Sequence, residues 1–356
     1  MRKSERLCKA VVLPDRSSST GHRSEMSLWM LCSDEEFSPD LVRAALERGE
    51  DVNQRGPNNW SLLMFAVAKN KILLLRLMLE QPLIEVNLTS DEGTTALQYA
   101  ALRGNGEALK LLLEHPSISV NLACACTGFT ALHMAACKGR GEAVKLLLAD
   151  PRVDVNCKDP KGDTPLILAA RNEDNFDALK LLLADQRVDV NCEGSLTALR
   201  TLTALRSAIV RKNIKAVKLL LDNDRVDVNG MDSDGYNALF IAFSLLTSKD
   251  ARVLELLELF LSHPRVDLNC KAHGTTLLHY AVLMNNVEAV RMILAETRFT
   301  LHNALKEKEG TSAVGLAAFG GHWDILKELA HHPKVDLAVG GLDPDDLMKY
   351  EVCMII

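Results

Sequence analysis

Asp51-Val52-Asn53, Glu85-Val86-Asn87, Ser119-Val120-Asn121, Asp154-Val155-Asn156, Asp189-Val190-Asn191, Asp227-Val228-Asn229 and Asp267-Leu268-Asn269 are one tripeptide returning at steps of 34, 34, 35, 35, 38 and 40 residues. A period of that size marks a repeat architecture, in which a small unit is stacked on copies of itself because no single copy buries its own apolar face. The clearest copy runs from Asn156 to Val190. Gly162 permits a positive φ at a hairpin tip, Thr164 suits the cap of the next helix and Pro165 its first residue. Leu166, Ala169 and Ala170 give that helix a narrow apolar stripe; Ala178, Leu179, Leu181, Leu182 and Leu183 give a second helix a wider one. In the preceding copy Gly139 separates the two helices, where a left-handed residue ends the first. Each copy therefore reads as hairpin, helix, turn, helix.

The composition agrees. Of 356 residues 47% are hydrophobic and 25% charged, as in folded soluble chains, and the low aromatic share of 4% suits thin helical layers filled by Ala and Leu. A net charge of -6 gives no general drive toward nucleic acid or anionic membrane. No apolar run is long enough to predict a spanning helix. Residues 1–25 are basic and Ser-rich without the apolar centre of a secretory signal, and are expected to be disordered. Nine cysteines are an odd number. Cys157, Cys192 and Cys270 each follow the recurring Asn and read as small fillers in a protein of the reducing cytoplasm or nucleus.

Thr130-Ala131-Leu132-His133-Met134-Ala135-Ala136, followed by Gly139, Glu142 and Leu146-Leu147-Leu148, resembles the signature of the ankyrin-repeat family, as does Thr276-Leu277-Leu278-His279-Tyr280-Ala281. The resemblance covers about residues 36–338. It implies an all-α ankyrin-repeat solenoid of helix-turn-helix and β-hairpin units, about eight in number, with an N-terminal helical cap. Counted on the Asn, the repeats are 53–86, 87–120, 121–155, 156–190, 191–228, 229–268, 269–301 and 302–337, within a repeat domain of 53–338. Capping helices are expected over 26–52, the first from about Met26 to Cys32 and the second started by Ser38 and Pro39; residues 339–356 form a tail. Two copies depart from the pattern. The fifth lacks a full hairpin and duplicates Leu-Thr-Ala-Leu-Arg at 196–200 and 202–206; spacing assigns the second segment to the first helix and leaves the first as an insertion that either extends that helix or bulges from the hairpin side. The sixth carries surplus residues around Leu245–Arg252, between its helices.

No arrangement of acid, base, nucleophile or metal ligands stands out, so neither enzymatic activity nor a cofactor or metal is expected. His133 and His279 occupy a repeat position where, by resemblance, the side chain bonds to backbone. Cys124-x-Cys126 lacks a second pair at zinc spacing. Asp232-Ser233-Asp234-Gly235 lacks the remaining ligands of a calcium loop and reads as a hairpin tip. The resemblance implies a protein-protein interaction scaffold or adaptor, taken to be monomeric and cytoplasmic or nuclear, with a protein partner on the concave side across hairpin tips and first-helix ends. Trp60, Phe129, Asp163 and Tyr236 fall just before the first helices; the aromatic ones are either anchors for a partner or packing for the next hairpin. Asp91, Glu92, Pro160 and Lys161 fall at tips, and Arg103, Lys138 and Arg171 just past first helices. The alternative is a recognition subunit that brings a bound protein to a ubiquitin ligase or kinase complex, although the 18 residues after Ala338 contain no F-box- or SOCS-box-like segment.

Two modifications complete the sequence reading. Cys353-Met354-Ile355-Ile356 has the C-a-a-X form for prenylation at Cys353, but Asp343, Asp345, Asp346 and Glu351 lie upstream with only Lys349 basic, so a lipid there would give weak, reversible membrane contact. By resemblance, Asn87, Asn121, Asn156, Asn191, Asn229 and Asn269 are candidates for asparaginyl β-hydroxylation, each with a Leu eight residues upstream. Their primary role is to hold the hairpins through side-chain bonds.

Overall fold

Side-chain caps set the helix starts. In the computed structural model, which describes residues 27–33, 38–197, 200–245, 251–272, 274–299 and 312–332, Ser61, Thr95, Thr130, Thr164, Thr203, Asn237 and Ser312 each accept the backbone N–H three residues on. Each such bond satisfies one of the orphan amides of a helix N-terminus. The chain divides into two units, Met1–Gly194 and Ser195–Ile356. The division falls in the irregular fifth copy.

In the first unit, α1 (Leu28–Ser33) and α2 (Pro39–Glu47) precede four helix pairs: α3 (Leu62–Ala68) and α4 (Ile72–Leu79), α5 (Ala96–Arg103) and α6 (Gly106–Glu114), α7 (Ala131–Cys137) and α8 (Gly141–Ala149), α9 (Pro165–Ala170) and α10 (Phe176–Ala184). The first helices α3, α5, α7 and α9 pack in one row, and α4, α6, α8 and α10 in a second. Ala100, Ala101, Ala135, Ala136 and Ala169 are buried in the first row, where small side chains let the backbones approach; Leu109, Leu112, Leu147 and Leu182 are buried in the second. Helix α1 begins at Leu28 because later residues cap it: Leu28 N–H donates to Glu50 Oε2 at 2.7 Å and Trp29 N–H to Gln54 Oε1 at 3.2 Å. Ser38 stands at the start of α2 without a side-chain capping bond, so Pro39, with its fixed φ, is what the sequence contributes to that start.

One left-handed residue joins the helices of most pairs. Gly139 has φ 62° there, and Asn70, Lys212 and Asn285 adopt the same region without being glycine. Between α9 and α10 a 3-10 turn, Glu173–Asn175, takes its place.

A strand pair begins at the division, β1 (Gly194–Thr197) and β2 (Arg200–Leu202), where the sequence reads no full hairpin; the second unit continues with α11 (Ala204–Val210), α12 (Ile214–Leu221), α13 (Ala238–Ser244) and α14 (Ala251–Ser262). After the antiparallel pair β3 (Lys271–Ala272) and β4 (Thr275–Thr276) come α15 (Leu277–Leu283), α16 (Val287–Ala295), α17 (Ala313–Phe319) and α18 (Trp323–His331). Thr203 caps α11, so the second of the duplicated segments makes the helix and the first lies on the hairpin side. Helix α14 has 12 residues against 9 in α8 and α10, which absorbs part of the surplus in the sixth copy; residues 246–250 lie outside the described residues.

The recurring Asn clips each repeat to the next. Asn121 Nδ2 donates to Arg152 O at 2.8 Å while its Oδ1 accepts Asp154 N–H at 2.8 Å; Asn53, Asn87, Asn156 and Asn229 make the same two bonds one repeat further on. A second tie was not foreseen from sequence. Arg152 Nη2 donates to Leu113 O at 2.7 Å, Arg187 Nη2 to Leu148 O at 2.5 Å and Arg265 Nη1 to Leu221 O at 3.1 Å, and Arg298 reaches Leu261 O likewise. Each guanidinium sits at the C-terminal end of the preceding second helix, where unpaired carbonyls and the helix dipole favour a cation. Asp185 holds Arg187 in place at 2.7 Å. We expect Arg187→Ala to lower stability by about 1 kcal/mol, read from urea unfolding of the full chain. A shift below about 0.2 kcal/mol would reduce the tie to a crystal-like surface contact without energetic weight.

Candidate protein-binding surface

Each hairpin tip is closed by a pair of main-chain bonds: Ser90 N–H to Thr94 O at 3.0 Å with Gly93 N–H to Ser90 O at 2.8 Å, Cys124 N–H to Phe129 O at 2.9 Å with Gly128 N–H to Cys124 O at 2.7 Å, and Asp159 N–H to Asp163 O at 3.0 Å with Gly162 N–H to Asp159 O at 2.8 Å. Asp91, Glu92, Pro160 and Lys161 are exposed there. The candidate aromatic residues are half-buried. The Trp60 ring meets Tyr99 edge-on with centroids 5.2 Å apart, Phe129 stacks on His133 at 5.5 Å, and in the second unit Tyr236 meets Phe240 at 6.2 Å. One face of each ring is thus fixed by the fold, which lowers the entropy a partner would have to remove.

Asp163 and Arg171 are placed differently from the sequence expectation. Asp163 is 1% exposed, and the Arg171 guanidinium grips its carboxylate with Nη1–Oδ2 at 2.7 Å and Nη2–Oδ1 at 2.6 Å. They satisfy each other beneath the surface, so Asp163 presents no charge to a partner. The physical cause is local: Asp159 Oδ1 takes the Asp163 N–H, fixing the backbone at the tip, and Arg171 is the residue that directly follows α9.

Arg103 and Lys138 are exposed and half-buried respectively, and Lys69, which sequence reading did not single out, is exposed at the same register. The three lie eight residues past the caps Ser61, Thr95 and Thr130, which puts a cation at each of three successive first-helix ends. None of them is in an ion pair among the described residues. A helix of this length spans about 12 Å, so the basic line stands about one first-helix length from the tip aromatics, with half-buried Tyr99 on the helix between.

Buried polar residues at the third position of the first helices are structural. His133 is fully buried, its Nδ1 accepting Thr130 N–H at 3.2 Å and its Nε2 within 3.0 Å of Asp163 O in the next hairpin. Gln98 does the same work, donating Nε2 to Leu122 O at 2.6 Å and Phe129 O at 3.0 Å, and Arg206 reaches Gly230 O at 2.7 Å. Sequence reading found only the histidines, because Gln98 and Arg206 are not the residues the family signature carries. The Cys157 thiol lies 3.6 Å from His133 Nδ1, a spacing that suggests a nucleophile and its base. The electrostatics run the other way: burial pushes Cys157 up to about 11 and His133 down, so neutral thiol and neutral imidazole are favoured over the reactive ion pair.

Among the described residues no three His, Cys, Asp or Glu side chains are placed to hold a metal ion, and no helix is long and apolar enough to cross a membrane. Asp232 Oδ1 accepts Asp234 and Tyr236 N–H groups at 3.1 and 2.8 Å, an Asx turn at a hairpin tip. The side chains of Asn87, Asn121, Asn156, Asn229 and Asn269 all engage the following loop; Asn191 also has a partner. Cys353 lies outside the described residues.

The family of ankyrin repeats matches the chain in three copies, over residues 29–124, 117–194 and 246–339. The chain belongs to the ankyrin-repeat family, whose repeats are generally protein-protein interaction modules. Two zebrafish proteins (Danio rerio) are similar in part: Notch-regulated ankyrin repeat-containing protein B is 38% identical over 61 residues, 17% of this chain and 52% of that protein, and protein A 42% identical over 53 residues, 15% and 45%. The chain spans about half the length of these curated relatives. The crystal structure of EF0377, an ankyrin repeat protein, is similar with a TM-score of 0.50 at 25% identity, over 56% of this chain and 98% of that one.

Proposed function

We propose that the protein is a non-enzymatic scaffold or adaptor of the cytoplasm or nucleus, monomeric, whose first unit takes an acidic segment of a partner protein along the ends of its first helices. The observation that carries this is the line Lys69, Arg103 and Lys138, three cations at one register without ion-pair partners among the described residues, at the opposite ends of the first helices from Trp60 and Phe129, whose rings are held by one face. A carboxylate on the partner would gain attraction without displacing an internal salt bridge, and the aromatic rings would accept an apolar side chain. Asp91, Glu92 and Lys161 at the tips would add register at the rim.

The test begins with capture of a partner by the full chain, identified by mass spectrometry. Arg103→Glu with Lys138→Glu is expected to weaken its binding at least ~10-fold, with the unfolding midpoint unchanged and the residual affinity less salt-dependent. Lys110→Glu with Lys145→Glu, exposed on second helices, should leave binding intact. Equal loss in both pairs, or in neither, would move the interface away from the first-helix ends. Tyr236→Ala, assayed separately, reports whether the second unit takes part.

A further inference from the structure

The hairpin after the second repeat carries two sulphur atoms in contact. Cys124 and Cys126 Sγ are 3.2 Å apart, inside ordinary van der Waals separation for non-bonded heavy atoms of this size. A disulfide bond is about 2.05 Å long, so the two sulphurs need to close by only about 1.1 Å. The main chain is already turned to bring them together: Cys124 N–H donates to Phe129 O at 2.9 Å and Cys124 O accepts Gly128 N–H at 2.7 Å. The preceding hairpin holds the turn from below. A Cβ placed on Gly93 would meet the Ala125 methyl at 2.5 Å, and Cys124 Sγ donates to Glu92 O at 3.3 Å with Thr94 Oγ1 at 3.6 Å. Cys124 is buried and Cys126 is exposed, so one sulphur is reachable and the other is held against it. Cys157 and Cys270 instead face oxygen and nitrogen, at Thr130 Oγ1 and Asn237 Nδ2.

We infer that Cys124 and Cys126 are a modification site, an oxidisable dithiol that closes to a reversible intrachain disulfide with a hydroperoxide as the two-electron acceptor. The exposed Cys126 sulphur attacks the terminal oxygen of the hydroperoxide, the O–O bond breaks, and water or the alcohol leaves with the thiol proton; Cys126 is then a sulphenic acid. Cys124 sulphur attacks Cys126 sulphur, the S–S bond forms, the S–O bond breaks, and hydroxide leaves as water with the Cys124 proton. Two thiols lose two electrons and the peroxide gains two. The acid–base setting helps the pair. Burial raises Cys124, yet hydrogen bonds from Thr127, Thr94 and Cys126 outweigh it and bring that thiol below its ordinary value, while burial and the neighbouring Cys124 push Cys126 up to about 11. The thiolate of the pair therefore forms first on Cys124, 3.2 Å from the Cys126 sulphur it attacks once Cys126 is oxidised, so the setting favours the second step, ring closure. A disulfide between residues two apart, on an exposed tip, belongs to the readily reduced class.

The experiment treats the full chain with hydrogen peroxide, unfolds it, blocks remaining thiols with iodoacetamide and weighs the peptide containing residues 124–126. That peptide should lose two hydrogens and take no alkyl group, and dithiothreitol should restore both thiols; the peptides of Cys32, Cys157 and Cys270, which are protected in the fold, should alkylate. Cys126→Ser should leave Cys124 fully alkylated. Two results overturn the inference: two alkyl groups on the wild-type peptide at a peroxide exposure that oxidises a free small dithiol, or a sulphinic acid on Cys126 with Cys124 still free.

Discussion

His133→Ala is expected to destabilise the first unit by about 3 kcal/mol. The imidazole is fully buried and links three places: the cap residue Thr130, the Asp163 carbonyl of the next hairpin and the stacked Phe129 ring. Alanine removes its packing and leaves the Thr130 N–H and Asp163 carbonyl seeking partners in a dry site. Urea unfolding followed by tryptophan fluorescence measures the loss, and a variant within about 0.5 kcal/mol of wild type would sink the assignment. His133→Gln provides the contrast, since Gln98 makes equivalent bonds one repeat earlier; most of the stability should return. The same pair of proteins predicts a pH effect. Burial holds His133 below its ordinary value, against the raising influence of the Asp163 carbonyl and of the Asp159 and Asp163 carboxylates. Its folded pKa is therefore the lower one. As pH falls below the unfolded value of about 6.5, the unfolded chain takes up the proton first and wild-type stability drops until the folded pKa is passed. His133→Gln has no such group. Subtracting its stability curve from that of wild type isolates a loss beginning below about pH 6.5; parallel curves down to the carboxylate range would contradict it.

Gly128→Ala is expected to lose a similar amount, about 3 kcal/mol, from two sources of about equal size. Gly128 has φ 71°, a region costly for an L side chain, and a Cβ there would lie 2.1 Å from Pro160 Cδ and 2.6 Å from Cγ. The proline ring cannot rotate away, so relief requires the two hairpins to separate, and the His133 bond to Asp163 O crosses that gap. Pro160→Ala in the same chain should recover about half of the loss by removing the obstructing ring atoms. Gly49→Ala, with φ 89° but nothing within 4 Å of the added carbon, should lose only about 1 kcal/mol. Equal losses at Gly128 and Gly49 would mean that backbone strain, and not hairpin contact, limits this position.

Much of the local architecture was legible because its causes act within a few residues. Thr130 and Thr164 cap the helices they precede, Pro165 opens α9, and Gly139 and Gly162 adopt the positive φ their positions require. The choice of Thr203 over Thr197 as the start of the fifth first helix followed from spacing alone, and Thr203 does cap α11. The candidate surface was less legible. Asp163 follows a glycine at a hairpin tip and so reads as solvated, yet the guanidinium eight residues later draws it inside. Lys69 carried a weaker signal because Asn70, and not the glycine that follows Arg103 and Lys138, takes the left-handed turn at its helix end.

The sequence by itself determined the period, the paired helices and the family, since apolar spacing, caps and left-handed turns are short-range and most copies restate them. Tertiary structure alone decided which polar groups work inside: Gln98 and Arg206 beside His133, Arg152 and Arg187 at the ends of the preceding helices, and the Asp163–Arg171 pair. Several of these side chains meet partners 24 to 39 residues away. Only stacking one repeat on the next converts that sequence distance into contact, and with it determines whether a charge is solvated, neutralised or left facing a partner.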